Sequence, residues 1–142
     1  MDKINKFSGE YFFLSNFYPC EIVDEDNFKY HSSEQYYMLQ KATNHEDKAK
    51  ILNTKNAAEA KKIGRQIKLR EDWEEVKYKV MYDALRLKFT QNKDSKQKLL
   101  DTGDAYLVEG NTWGDKIWGQ VNGKGEDWLG RLLMYVRKEL RG

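Results

Sequence analysis

Three segments of the sequence combine residue types that could carry chemistry, and the first contains a glutamate at a predicted helix start. Residues 32–35 read Ser-Ser-Glu-Gln, and Lys41 follows on the same predicted helix. A helix N-terminus is electrically positive, so it stabilises a carboxylate in its first turn. Glu34 is therefore either an ordinary helix-start acid or a functional carboxylate that acts as a general base or stabilises a developing cation. The sequence leaves both interpretations open.

The second segment, residues 111–119, reads Asn-Thr-Trp-Gly-Asp-Lys-Ile-Trp-Gly and adds another acid. Tryptophan offers a flat face on which a base can stack. Glycine lets the backbone approach a ligand closely or adopt a positive φ. A segment of this composition is either a functional loop that carries Asp115 or a loop that its tryptophans hold against the core.

The third segment, and a basic run earlier in the chain, could bind an anion. Residues 123–130, Gly-Lys-Gly-Glu-Asp-Trp-Leu-Gly, open the last predicted helix, whose backbone N–H groups could hold a phosphate. No Walker loop is present, and capping by Asp127 is the ordinary explanation of this segment. The basic run is either a solvated face or a phosphate site; it contains Lys61, Lys62, Arg65, Lys68 and Arg70.

Most of the chain has a helical pattern that would position these segments. Ser32 and Gln35 fit a capping box, and an apolar stripe at three- and four-residue steps marks the longest helix. We predict helices from Ser32 to about Ala42, from Asn44 through Leu52, from Asn56 to Gly64, from about Glu71 to Thr90, from Asp94 to Leu100 and from about Asp127 through Leu140.

The remaining residues predict a small β component. The first thirty residues have the pattern of short strands and turns, with a hairpin over 20–30 around a polar turn. Residues 105–108 suggest another short strand, and residues 110–125 a loop. We therefore predict a helix-rich α+β fold with a small antiparallel sheet, as a single domain over residues 1–142.

Composition excludes several classes of protein. The 142 residues include 25 basic and 23 acidic side chains, and this near-balance argues against a protein that covers nucleic acid with an extended basic surface. One cysteine and two histidines make a disulfide or a closed metal site improbable, so we expect no metal and no cofactor. No apolar run is long enough to span a bilayer, and the first residues lack a signal-peptide stretch. We expect a cytoplasmic protein without membrane contact.

Taken in order, the motifs resemble the YbiA-like, or NADAR, family from about Phe7 to Leu140. The resemblance rests on the order and spacing of Phe13-Leu14-Ser15-Asn16-Phe17, Ser33-Glu34-Gln35 with Lys41, Trp73-Glu74-Glu75-Val76-Lys77, Trp113-Gly114-Asp115, Gly123-Lys124-Gly125 and Leu129-Gly130. It implies an N-glycosidase that hydrolyses the C–N bond between ribose and a nitrogen base or amine. The implied substrates are riboflavin-pathway phosphoribosyl intermediates or an ADP-ribosylated base.

The resemblance also assigns site residues. The catalytic residues it implies are Glu34, Trp73 and Asp115, and we add a substrate-binding set of Asn16, Lys41, Arg65, Trp113, Gly114 and Lys124. Breaking a ribosyl C–N bond builds positive charge on C1′ and the ring oxygen, which a carboxylate would stabilise. The sequence departs from the family at Asp127, where relatives carry Asn, and at Gln35, which replaces a frequent His.

Three functions remain as alternatives. The first is an N-glycosidase that acts on a small phosphorylated ribosylamine. The second is the same chemistry on ADP-ribose attached to a base, including a base of nucleic acid. The third is a non-catalytic module that binds ADP-ribose or a nucleotide; the presence of both acids and of the tryptophan at position 73 argues against it.

Overall fold

Serine and asparagine side chains begin three helices of the chain, as predicted. Ser32 Oγ accepts a hydrogen bond from the backbone N–H of Gln35 at 3.1 Å. Asn44 and Asn56 do the same for the third residues of the next two helices, at 2.8 and 2.9 Å. Each cap satisfies a backbone donor that has no partner inside the helix. Local sequence therefore determines where these helices start.

The computed structural model describes residues 2–142. Within that range the contacts define two units, one formed by residues 16–92 and the other by the chain before residue 16 together with residues 93–142. No helix of residues 2–142 has the length and apolar composition needed to cross a membrane.

The unit of residues 16–92 holds a hairpin and four of the helices that the structure describes in residues 2–142. Its elements are β2 (Ile22–Val23), β3 (Lys29–Tyr30), α1 (Ser33–Leu39), α2 (His45–Leu52), α3 (Ala57–Gly64) and α4 (Trp73–Gln91). Strands β2 and β3 pair antiparallel, which confirms the predicted hairpin. Helix α1 packs against α2, α3 and α4. Gly64 ends α3 where a Cβ atom would collide with Met38 of α1, so glycine allows the two helices to approach closely.

The other unit is built around a strand pair and two helices. Its elements are β1 (Lys3–Ile4), a 3₁₀ helix (Gly9–Leu14), α5 (Lys93–Asp101), β4 (Tyr106–Leu107) and α6 (Trp128–Leu140). Strands β1 and β4 pair in parallel and form a separate two-stranded sheet, which the prediction of a single antiparallel sheet did not include. The expectation of only strands and turns before residue 30 was wrong at residues 9–14. A short apolar run does not distinguish a strand from a helical turn.

Gln35 departs from the predicted capping box. Its Oε1 accepts from the backbone N–H of His31 at 2.7 Å, and not from that of Ser32. Its Nε2 donates to the carbonyls of Ile51 and Leu52, at the end of α2, at 3.0 and 3.3 Å. The side chain is 1% exposed. Gln35 therefore joins α1 to α2 and is a structural residue.

Arg137, on α6, is a buried cation whose loss should destabilise the fold. It is 6% exposed, and its Nη1 donates to Thr102 Oγ1 and to the carbonyl of Ala105, both at 2.9 Å. We expect Arg137→Ala to lower the free energy of unfolding by about 2–3 kcal/mol, because a buried carbonyl loses its donor. Urea denaturation measures this loss. Arg141→Ala, which removes an exposed ion pair with Asp104, is the control; equal losses in the two variants would refute the prediction.

Candidate functional site

Glu34 lies in the first turn of α1, where neighbouring residues fix the backbone around it. Its N–H donates to the carbonyl of Asn16 at 3.1 Å, and its side chain is mostly buried. Tyr37 and Lys41 follow at spacings of three and four residues, which place them on the same side of the helix. The acid of the first turn is thus followed by a phenol ring about one turn further on, and then by the amine of Lys41, two residues past the end of α1.

Asn16 braces this helix start. Its Oδ1 accepts from the hydroxyl of Ser33 at 2.7 Å, and its Nδ2 donates to the sulfur of Met81 at 3.2 Å. Asn16 is 7% exposed. Its carboxamide and its carbonyl therefore position α1, and its role in substrate binding stays a prediction.

Trp73 begins α4 and packs against Tyr37. The two rings meet edge to face with centroids 5.1 Å apart, and Trp73 is 5% exposed. Lys41 Nζ lies 5.6 Å from the Tyr37 ring and 5.8 Å from the Trp73 ring. The amine of Lys41 therefore lies against both rings, since a cation is attracted to the face of an aromatic ring.

Lys41 is surrounded by charges of both signs. Burial lowers its pKa below the usual value for lysine, Glu34 opposes that shift, and the cations Arg65, Lys61 and Lys77 reinforce it. Lys77 is itself 7% exposed and bonds Glu74 through its Nζ at 2.7 Å. Basic groups therefore outnumber the carboxylate of Glu34 around this amine. Such a site favours a ligand that carries more than one negative charge.

A cavity of about 400 Å³ adjoins α3. Its lining residues are Phe17, Ala58, Lys61, Lys62, Arg65 and Gln66. Lys61 Nζ lies 5.6 Å from the Phe17 ring. Arg65, predicted to bind substrate, is thus on the wall of a cavity with both an aromatic face and cations. The sequence analysis named Phe17 and Lys77 only within family motifs, not as site residues, and it missed Tyr37, although the three-residue step from Glu34 to Tyr37 was a usable signal.

Asp115 lies in the loop of the other unit. Its Oδ1 accepts from the backbone N–H groups of Ile117 and Trp118 at 3.0 and 2.9 Å. Gly119 follows where a Cβ atom would collide with the oxygens of Glu109, so no larger residue fits there. The carboxylate of Asp115 therefore has a fixed orientation on its own loop.

The other predicted binding residues of this unit are more exposed. Trp113 is 63% exposed. Gly114 has φ of +88°, a conformation that favours glycine. Lys124 is exposed at the end of a tight turn in which Val121 and Lys124 exchange backbone hydrogen bonds.

Asp127 precedes α6 but makes no side-chain cap, contrary to the simplest interpretation of the sequence. Its Oδ1 accepts from the N–H of Glu109 at 2.9 Å, while Oδ2 is buried with no hydrogen-bond partner among residues 2–142. The residue is 3% exposed, and burial raises the pKa of its carboxyl to about 6. A buried acid at this position costs stability when it ionises.

Among residues 2–142, no group of three or more His, Cys, Asp or Glu side chains could hold a metal ion.

Comparisons with known proteins relate the whole chain to one family. The NADAR domain matches residues 4–141. The N-glycosidase YbiA of Escherichia coli (strain K12) is 37% identical over 138 residues, which cover 94% of this chain and 84% of that protein. A riboflavin biosynthesis protein of Vibrio vulnificus (strain YJ016) is 39% identical over 132 residues; the match covers 91% of this chain but only 35% of that longer protein.

A solved structure confirms the predicted fold class. The NMR structure of the E. coli protein YbiA superposes with a TM-score of 0.88 at 36% sequence identity. The superposition covers 99% of this chain and 85% of that one. The helix-rich α+β architecture with its small antiparallel sheet is thus shared with that protein.

Proposed function

The chain belongs to the NADAR domain family and is an N-glycosidase, and we propose that it cleaves the C–N bond of a phosphorylated ribosylamine with Glu34 at the reacting centre. The observation that carries this proposal is the position of Glu34 at the start of α1, with its carboxylate acting on Lys41, whose amine also lies in the field of Arg65 and Lys61. One carboxylate can stabilise a cationic sugar while the surrounding cations hold a phosphate.

The chemistry follows from charge development at the sugar. As the C1′–N bond breaks, its electron pair leaves with the nitrogen, and positive charge builds on C1′ and the ring oxygen. The Glu34 carboxylate stabilises that charge and orients or deprotonates the water whose oxygen bonds to C1′. The departing nitrogen takes up a proton, and the products are ribose 5-phosphate and the free amine.

Asp115 is the proposed second carboxylate. It either assists the attacking water or, when protonated, donates the proton to the departing nitrogen, as paired carboxylates do in glycosidases. Trp73 is proposed to shape the pocket, because its ring is buried against Tyr37 beneath Lys41. Trp113, with its large exposed face, is proposed to shield the pocket or stack on the base.

The 5′-phosphate is assigned to the cations beside Glu34. Arg65 can bind phosphate oxygens with two parallel N–H donors, which makes it a better phosphate ligand than a lone amine. Lys41, just after α1, and Lys61, on α3, add positive charge. Asn16, Gly114 and Lys124 remain predicted binding residues.

An ADP-ribosylated base is the second candidate substrate. The cavity of about 400 Å³ beside Phe17 favours it, since an aromatic ring with cations can receive a second phosphate and a base. The near-neutral net charge of +2 favours a small molecule over an extended contact with DNA or RNA.

Mass spectrometry of products from two substrates tests the proposal. The purified protein is incubated in parallel with a ribosylaminopyrimidine 5′-phosphate and with an oligonucleotide carrying ADP-ribosylated guanine. We expect ribose 5-phosphate from the first. Release of ADP-ribose from the second alone would select the other candidate. Binding of either substrate without cleavage would indicate a non-catalytic module and refute the proposal.

Replacing Arg65 should weaken binding more than catalysis. We expect Arg65→Gln to raise KM for the phosphorylated substrate about tenfold or more and to change kcat little, because a charge-assisted hydrogen bond to phosphate is worth about 1.5–3 kcal/mol. Lys68→Gln, from the same basic run, is the matched control. Steady-state kinetics measure both variants, and an unchanged KM for Arg65→Gln would contradict the assignment.

A further inference from the structure

The proposed second carboxylate lies on a loop, and Asn111 clamps the main chain of that residue. From this geometry we infer that Asn111 is a positioning residue that sets the orientation of the Asp115 carboxylate for the reaction. The inference rests on the proposed function, in which Asp115 assists the water or protonates the leaving nitrogen.

The clamp uses both halves of the Asn111 carboxamide. Its Oδ1 accepts from the N–H of Asp115 at 3.1 Å, and its Nδ2 donates to the carbonyl of Asp115 at 2.9 Å. Both peptide groups that flank the Asp115 side chain are thus bound by one residue, four positions earlier. Asn111 is 8% exposed, so these bonds are shielded from competing water.

Asn111 is itself oriented by Glu109. The same Nδ2 donates to Glu109 Oε2 at 2.9 Å. The main chain of Glu109 is held at its N–H by the carboxylate of Asp127, at 2.9 Å, and at its carbonyl by the N–H of Gln120, also at 2.9 Å. The clamp is therefore anchored to the end of β4 and to the residue before α6.

The far side of Asp115 is fixed as well. Its Oδ1 accepts from the N–H groups of Ile117 and Trp118. These two bonds hold the carboxylate from the residues that follow, and the bonds to Asn111 hold the backbone of Asp115 from the residues that precede it, so the orientation of the carboxylate depends on both. A catalytic carboxylate must stay within about 0.5 Å of its productive position. Without Asn111, the peptides around Asp115 would lose their ties to the preceding segment, and the acid would spread over several orientations.

A double-mutant cycle in turnover tests this inference. We measure kcat and KM for wild type, Asn111→Ala, Asp115→Asn and the double variant on the ribosylated substrate that the wild type cleaves. Asn111→Ala should lower kcat about 10- to 100-fold with little change in KM, as expected for a misplaced catalytic group. In the Asp115→Asn background the same change should cost nothing further, because Asn111 acts through that carboxylate.

Two variants separate positioning from loop stability. Asn111→Asp keeps the shape and the acceptor but loses the donor to the Asp115 carbonyl, so it should be at least as impaired as Asn111→Ala. Gln120→Ala removes a single side-chain bond of the same loop, to the carbonyl of Gly125 at 3.3 Å, and should keep normal kcat. Thermal denaturation of all variants identifies any loss that comes from unfolding.

The possible failures are distinct. If Asp115→Asn turns over at the wild-type rate, the proposed role of that acid fails, and the inference fails with it. If Asp115→Asn is impaired while Asn111→Ala is normal, or while the two losses add, only the inference about Asn111 is overturned. Normal turnover of Asn111→Asp would also overturn it, by showing that the donor to the Asp115 carbonyl is not needed for the reaction.

Discussion

Glu34→Gln is expected to lower kcat about 10³-fold or more while the protein stays folded. The amide keeps the volume of the side chain but removes the negative charge proposed to face C1′ and the base that would activate water. Loss of one electrostatic or acid–base contribution of this kind costs about 10²- to 10⁴-fold in an enzyme. Lys41 and its cationic neighbours remain in the variant and repel the developing sugar cation.

The competing explanation of Glu34 is a simple helix-start acid, and Glu59 provides the matched control. Glu59 lies in the first turn of α3, whose N-cap Asn56 bonds the N–H of Glu59 itself. If Glu34 only stabilises its helix, Glu34→Gln and Glu59→Gln should each cost about 0.3–1 kcal/mol of stability and leave turnover unchanged.

Single-turnover product formation, followed by mass spectrometry, distinguishes the two explanations, because it reports the chemical step directly. A large loss for Glu34→Gln with normal turnover for Glu59→Gln supports the proposed role. Turnover of Glu34→Gln within about threefold of wild type would remove Glu34 from the reacting centre.

Asp127→Asn is expected to stabilise the protein by about 2–3 kcal/mol at pH 8 and by much less at pH 4. The folded protein raises the pKa of Asp127 from 3.8 to about 6, so between those values the native state binds more protons than the unfolded state. Stability therefore falls as pH rises through this window and stays reduced above it. Each pKa unit corresponds to about 1.4 kcal/mol.

Asparagine removes the titration and keeps the essential contact. Its Oδ1 can still accept from the N–H of Glu109, while the buried and unpartnered Oδ2 of the acid is replaced by a neutral group. Urea denaturation at several pH values between 4 and 8 measures the difference between variant and wild type, in which all other titrations cancel. Asp104→Asn, at an exposed residue that pairs with Arg141, is the control and should not stabilise the protein at pH 8. A constant difference between Asp127→Asn and wild type across that range would contradict the prediction.

The local features of the helices could be predicted from sequence because they depend on groups three or four residues apart. Ser32, Asn44 and Asn56 each bond the N–H three positions later, so their identity determines the helix start. The position of Glu34 in a first turn, and its alignment with Lys41, follow from the same local geometry. The hairpin turn at residues 24–27 could be predicted for the same reason, since the Asp24 carboxylate accepts from N–H groups of its own turn, those of Asp26 and Phe28.

Contacts between distant residues were decided only by tertiary structure. The side chain of Asp127, predicted to cap the last helix, accepts instead from the N–H of Glu109, 18 positions earlier. This contact draws the carboxylate into the interior. Lysine is usually a surface residue, but Lys88 is fully buried, with its Nζ 5.5 Å from the Tyr18 ring. That burial lowers its pKa to about 8. The parallel pairing of β1 with β4 joins segments about a hundred residues apart, which no local pattern reports.

The same division applies to the candidate site. The sequence determined the chemical groups, because the carboxylates, the tryptophans and the basic run belong to motifs whose order carries the family resemblance. Tertiary structure determined what those groups do: Asn16 braces α1, Trp73 packs under Lys41, and Asn111 clamps Asp115. The physical reason is that hydrogen bonds and burial depend on the partner that packing brings near each group, and that partner is usually remote in sequence.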